Sequence, residues 1–94
     1  MMYVVIYDIS DDNLRAKVAA FLKSKGLVRL QYSAFAGQLT SSQLRDVEGG
    51  IRILFRKMEG ERKSLIIFPL TEPQYEKRIA IGETLKDEED NVIM

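Results

Sequence analysis

The chain has 94 residues, no cysteine and no histidine, 46% apolar residues, and 14 basic against 14 acidic residues, the profile of one soluble globular domain. Disulfides and thiolate metal sites are excluded, as is the imidazole that most often serves as general base or transition-metal ligand, so any catalysis rests on carboxylates, Tyr, Ser, Lys or Arg. The zero net charge divides unevenly: residues 83–94 hold five acids and one base, which leaves 13 basic against 9 acidic residues in the body, a balance that suits an anionic partner.

Met2 to Ile9 reads as a central strand, since Tyr, Val and Ile fit a pleated, buried surface and Ser10-Asp11-Asp12-Asn13 closes it as a turn. Alternation puts Val4, Ile6 and Asp8 on one face and Tyr3, Val5 and Tyr7 on the other, so both faces are apolar until Asp8. Asp11 or Asp12 then caps a helix whose apolar positions Leu14, Val18, Phe21 and Leu22 recur at three and four residues, with Gly26 as its end. Arg15, Lys17, Lys23 and Lys25 lie off that stripe, as a solvated face or as phosphate contacts.

Leu27 to Leu39 reads as one strand, Leu30, Tyr32 and Ala34 alternating with Arg29, Gln31, Ser33 and Phe35, and a bulge or turn is expected at Gly37. Thr40-Ser41-Ser42 offers N-caps for a second helix with the buried stripe Leu44, Val47, Ile51, Leu54, Phe55 and Met58. Its Gly49-Gly50 pair costs about 1 kcal/mol per glycine against Ala, which signals either close packing against another backbone or simple tolerance. After a polar turn, Glu59-Gly60-Glu61-Arg62-Lys63, the segment Ser64 to Leu70 is a third strand, apolar on both faces, whose Pro69 belongs at an edge or bulge. Thr71-Glu72-Pro73-Gln74 reads as a turn, and Tyr75 to Ile81 as a short last strand through Ile79 and Ile81. Residues 1–82 thus form the domain, and residues 83–94 an acidic tail whose Val92-Ile93-Met94 can add a strand to a sheet edge. No run of about 18 apolar residues spans a membrane and no targeting segment is visible, so a cytoplasmic location is expected.

This order gives an α+β fold, a ferredoxin-like two-layer sandwich of the split βαβ kind with both helices on one sheet face. The first and third strands are apolar on both sides, so the uncovered face predicts a face-to-face homodimer.

Asp8 carries the most chemistry. Metal-assisted phosphodiester cleavage needs a carboxylate to hold a cation against the phosphate and its attacking water, and without Cys or His that cation must be hard and oxygen-bound, such as magnesium or manganese. One carboxylate is too few, but the ends of two first strands meeting at a dimer axis would supply a pair. The alternative is that Asp8 caps the turn into the first helix.

Tyr7-Asp8-Ile9, Asp11, Arg15, Gly26, then Arg29-Leu30-Gln31-Tyr32-Ser33-Ala34-Phe35 and Gly37 stand in the order of a known pattern. On these residues the chain resembles the small CRISPR-associated adaptation proteins, the Cas-two family, closely over its first forty residues and more loosely beyond. Ala34 stands where that pattern usually has Val. The resemblance implies a ferredoxin-like homodimer, a magnesium site at Asp8 on the dimer axis, cleavage of RNA or DNA phosphodiesters, and a place beside the Cas-one integrase in spacer acquisition. Carried over by position, it implies catalytic roles for Asp8, Tyr7 and Ser33 and nucleic-acid contacts at Arg15, Arg29 and Phe35, to which charge alone adds Lys17. Phe35 is either a ring on which an unpaired base stacks or a dimer-interface core residue, and Ser33 makes either a backbone hydrogen bond or a catalytic contact. Two further readings stand beside the nuclease: a scaffold that holds duplex DNA by its backbone for the integrase, and a toxin-like ribonuclease of the virulence-associated type.

Overall fold

The computed structural model describes residues 1–83, and β1 (Met2–Ile9) stands in its middle, paired on both sides. Its antiparallel neighbours are β3 (Ala34–Gln38) and β4 (Lys63–Leu70), and β2 (Val28–Gln31) completes the sheet in the order β2-β3-β1-β4. Helices α1 (Asp12–Ser24) and α2 (Ser41–Arg56) make the two crossovers, and a single turn, α3 (Glu72–Glu76), follows β4. Strand-helix-strand-strand-helix-strand in this order is the expected ferredoxin-like sandwich.

The fourth strand comes from a place other than the one expected. The run Leu27 to Leu39 is not one strand but a hairpin, β2 and β3, folded at Tyr32 and Ser33 with a register shift between Arg29 and Gln31. Its turn carries no Gly, Asn or Pro, the residues by which tight hairpins are recognised, so alternation ran unbroken through it. Tertiary contacts hold it instead: the Tyr7 hydroxyl donates to the Tyr32 carbonyl at 3.2 Å, and the Tyr7 N–H to the Ser33 carbonyl at 3.0 Å. Gly37 therefore marks neither bulge nor turn; it lies inside β3, where an added Cβ would sit 2.7 Å from Leu27 Cδ2.

The expected strand from Tyr75 to Ile81 does not form. Thr71 and Gln74 make a reciprocal capping box that starts α3, with Pro73 in its first turn, and beyond it Ile79 and Ile81 stay exposed. The acidic tail with Val92-Ile93-Met94 lies outside the described residues, apart from Glu83.

The caps settle two open points. Asp11, not Asp12, caps α1, accepting from the Leu14 N–H at 2.7 Å, and Thr40 caps α2 in a second box with Gln43. The two glycines of α2 divide the alternatives between them: an added Cβ at Gly50 would fall 2.2 Å from the Phe21 ring, whereas Gly49 faces open space. The close contact is with a ring rather than a backbone.

Val5, Tyr7 and Ile9 of β1 join Phe35, Leu14, Val18, Leu22, Val47 and Ile51 in one core between sheet and helices. The opposite sheet face is not covered by α1 or α2, although Met2 and Ala36 on it are buried. There the register aligns Val28, Ala36, Val4 and Phe68, and next to them Ala34, Ile6 and Ile66. Ile6, Val28, Ile66 and Phe68 are between 44% and 54% exposed, a contiguous apolar surface of the kind that marks an interaction site. Among the described residues no helix is long and apolar enough to cross a membrane.

Candidate functional site

The site is built where β1 runs out of apolar residues. On the open face the pairs Val4–Phe68 and Ile6–Ile66 are followed by Asp8–Ser64, and one step further Ser10 donates its N–H to the Arg62 carbonyl at 2.9 Å. The apolar patch thus ends in a polar rim. Asp8 stands in that rim with its side chain 64% exposed, and Arg62 Nη2 donates to its Oδ1 at 3.2 Å. Asp11 already caps α1, so the capping role considered for Asp8 is filled by another residue.

Arg15 is at the same corner. Its Nη1 donates to the Ile9 carbonyl at 2.9 Å and its Nη2 pairs with Asp12, so the guanidinium ties the end of β1 to the first turn of α1. N–H groups remain for an anion, since Arg carries five donors.

Alternation separates the other expected residues from Asp8. Tyr7 faces the helices, nearly fully buried; its ring stacks on Phe35 with centroids 6.3 Å apart and planes at 22°, and its hydroxyl is engaged by Tyr32. Phe35 is completely buried in the same layer. A ring so enclosed offers no face to a base, so the stacking role expected of Phe35 does not fit its position. Nor is it a residue of the open face: it belongs to the core under the helices. Arg29, paired across the hairpin with Phe35, is half-buried with its guanidinium carbon 5.1 Å from the Phe35 centroid, a cation–π contact on the helix side of the sheet. Tyr7, Phe35 and Arg29 therefore form a stack that backs the hairpin turn. Ser33 lies in that turn, where its carbonyl accepts from the Tyr7 N–H. Lys17 is exposed on α1 beside Lys57, in the helix layer and so across the sheet from Asp8.

Arg62 is the residue that sequence reasoning missed. It sits in a segment read as a polar turn, and only the antiparallel register of β1 against β4 brings it to Asp8. With Ile6 opposite Ile66, the same register sets Arg62 across from Ser10, one step past the Asp8–Ser64 pair.

The donor set bears on the cation. Among the described residues no group of three or more acidic side chains could hold a metal, and the nearby Glu61 is engaged by the Ser10 hydroxyl at 3.0 Å. One exposed carboxylate suits a hydrated, oxygen-loving ion such as magnesium, which keeps several waters and takes one or two carboxylates. It does not suit a closed cage within one chain.

The geometry can be set beside known proteins. A family model described as CRISPR associated protein Cas2 matches residues 1–78, which include every helix and strand described. The CRISPR-associated endoribonuclease Cas2 of Korarchaeum cryptofilum is 40% identical over 79 residues, 84% of this chain and 82% of that one. The CRISPR-associated endonuclease Cas1/endonuclease Cas2 fusion of Thermoproteus tenax is 35% identical over 68 residues, 72% of this chain and 25% of the fusion. In fold the chain is similar to the crystal structure of Streptococcus pyogenes Cas2 at pH 6.5, with a TM-score of 0.73 at 20% identity, covering 87% of this chain and 100% of that one. The motif around Asp8, the ferredoxin-like order and a family match from β1 through α3 agree, and the chain belongs to the Cas2 family of CRISPR-associated proteins.

Proposed function

We propose that the chain acts in CRISPR adaptation as a face-to-face homodimer beside a Cas1-type integrase, and that it is an endoribonuclease whose magnesium is held at Asp8. The observation that carries this reading is the position of Asp8: exposed, on the rim of the uncovered apolar face, where a second copy on that face brings a second Asp8. The endoribonuclease name of the Korarchaeum relative supports the activity, and the Cas1/Cas2 fusion supports the partner.

The chain's own residues divide the work. Asp8 presents its carboxylate to the cation, with Arg15 fixing the following Ile9 carbonyl and Tyr7 fixing the hairpin turn, so the end of β1 is held on both sides. Arg15 also puts positive charge near the phosphate path. Magnesium, when bound, lowers the pKa of its water and polarises the phosphoryl oxygen; manganese is the natural substitute. Lys17 and Lys57, on the far side of the sheet, lie where they would contact a nucleic-acid backbone rather than the reacting phosphate.

The scaffold reading rests on this separation, because backbone contacts by Lys and Arg need no cation. Asp8→Asn tests both. It preserves shape and removes the charge, so magnesium-dependent cleavage of single-stranded RNA falls by orders of magnitude while dimer mass, melting temperature and duplex binding persist. Cleavage equal to that of the parent removes Asp8 from the chemistry. Spacer integration with Cas1 that survives the loss of cleavage assigns the scaffold role to the basic surface alone.

A further inference from the structure

The Asp8–Arg62 pair has no evident value to the fold. Both side chains are mostly exposed, 64% and 69%, and exposed ion pairs add little to stability. Yet the backbone of Arg62 is fixed with care: its carbonyl accepts from the Ser10 N–H at 2.9 Å, and the Ser10 hydroxyl lies 3.2 Å from the same oxygen. The guanidinium is therefore delivered to the one carboxylate that the proposed cation needs.

We infer that Arg62 is an exchangeable counter-ion, which holds Asp8 while the metal site is empty, yields the carboxylate to a divalent cation, and then contacts a non-bridging oxygen of the bound phosphodiester. This rests on the reading of Asp8 as the metal ligand. The chemistry favours an exchange: the planar guanidinium fits carboxylate and phosphate oxygens alike, and its long, exposed side chain moves between them while the β1–β4 ladder stays in place. The two partners also want opposite things. A cation at Asp8 repels the guanidinium, and a phosphodiester drawn to that cation attracts it. Arg62 then keeps the carboxylate compensated in the free protein and adds positive charge where the transition state develops negative charge.

The test uses the full-length dimer of the parent, Arg62→Gln, Arg62→Lys and Asp8→Asn. Manganese binding is followed by the electron paramagnetic resonance of the free ion, and cleavage of single-stranded RNA is measured at saturating manganese. Arg62→Gln removes the competitor, so manganese affinity rises about two- to fivefold, in line with an exposed ion pair. Its cleavage rate nevertheless falls about tenfold or more, as on removing a preorganised donor to developing charge. Arg62→Lys keeps the charge but loses the fork, and recovers near-parental affinity with only part of the rate. Unchanged or weaker manganese binding in Arg62→Gln, where the parent binds through Asp8, overturns this inference and leaves the metal site standing. Tighter binding with an undiminished rate overturns the hand-over to phosphate. If Asp8→Asn binds manganese as the parent does, the metal reading itself falls and takes the counter-ion with it. Circular dichroism of each variant excludes unfolding as the cause.

Discussion

Ile66→Asp puts the proposed dimer at risk more directly than any other single change. Ile66 pairs with Ile6 in the middle of the uncovered face, between Phe68 and Ser64 on β4, and it is 54% exposed. Full burial of an Ile side chain contributes about 1.5–3 kcal/mol, so covering the half that remains open contributes about 1 kcal/mol per protomer and about 2 kcal/mol per dimer. Ile66→Ala therefore weakens association about 30-fold by loss of contact alone. The aspartate adds the cost of burying one unpaired charge from each protomer, several kcal/mol more, which is enough to abolish a micromolar dimer. Because more than half of the side chain is open in the isolated chain, the substitution costs the fold only about 1–2 kcal/mol and leaves it folded. Sedimentation equilibrium at micromolar concentration should give about twice the chain mass for the parent and a folded monomer for Ile66→Asp, with manganese binding at Asp8 lost in parallel. A parent that is monomeric, or an Ile66→Asp variant that remains dimeric, refutes the interface and with it the shared site.

The two glycines of α2 predict opposite signs. Gly50→Ala drives a methyl into the Phe21 ring and, after the helix-propensity gain of about 1 kcal/mol, should lower stability by up to about 2 kcal/mol, whereas Gly49→Ala, facing open space, should raise it by up to about 1 kcal/mol, both read from denaturant midpoints. Tyr7→Phe removes the bond to the Tyr32 carbonyl and should cost about 0.5–1.5 kcal/mol by thermal melting while cleavage stays within a few-fold of the parent. A loss of orders of magnitude there would restore a chemical role to the hydroxyl.

The layers of the fold were legible because they depend on periodicity. Leu14, Val18 and Leu22 at helical spacing and the alternation of β1 specify which faces are buried, and caps at Asp11 and Thr40 specify where the helices start. What failed were the local breaks. The Tyr32–Ser33 turn has no Gly, Asn or Pro of its own and is held from outside by Tyr7, a contact 25 residues away in the chain, so no strong local signal marks the hairpin. Thr71 to Gln74 reads as a turn although its Thr and Gln form a capping box, and two isoleucines in alternation after it suggest a strand whose sheet partner does not exist among the described residues.

The site shows the limit of reading a motif as a line. Tyr7 and Asp8 are neighbours in the chain and share a pattern, yet a strand sends them to opposite faces, one into the core and the other to the rim. Phe35 and Arg29 follow Tyr7 through the cross-strand register and end as its packing partners, which gives them a structural place in the pattern. The residues that share the face of Asp8 are Ser64 and, one step beyond, Arg62, from the far end of the chain and outside the motif. A residue pattern thus records both the proposed metal ligand and the groups that hold its strand in place. Alternation along β1 separates the two, and its pairing with β4 brings a positive charge from outside the motif, Arg62, beside Asp8.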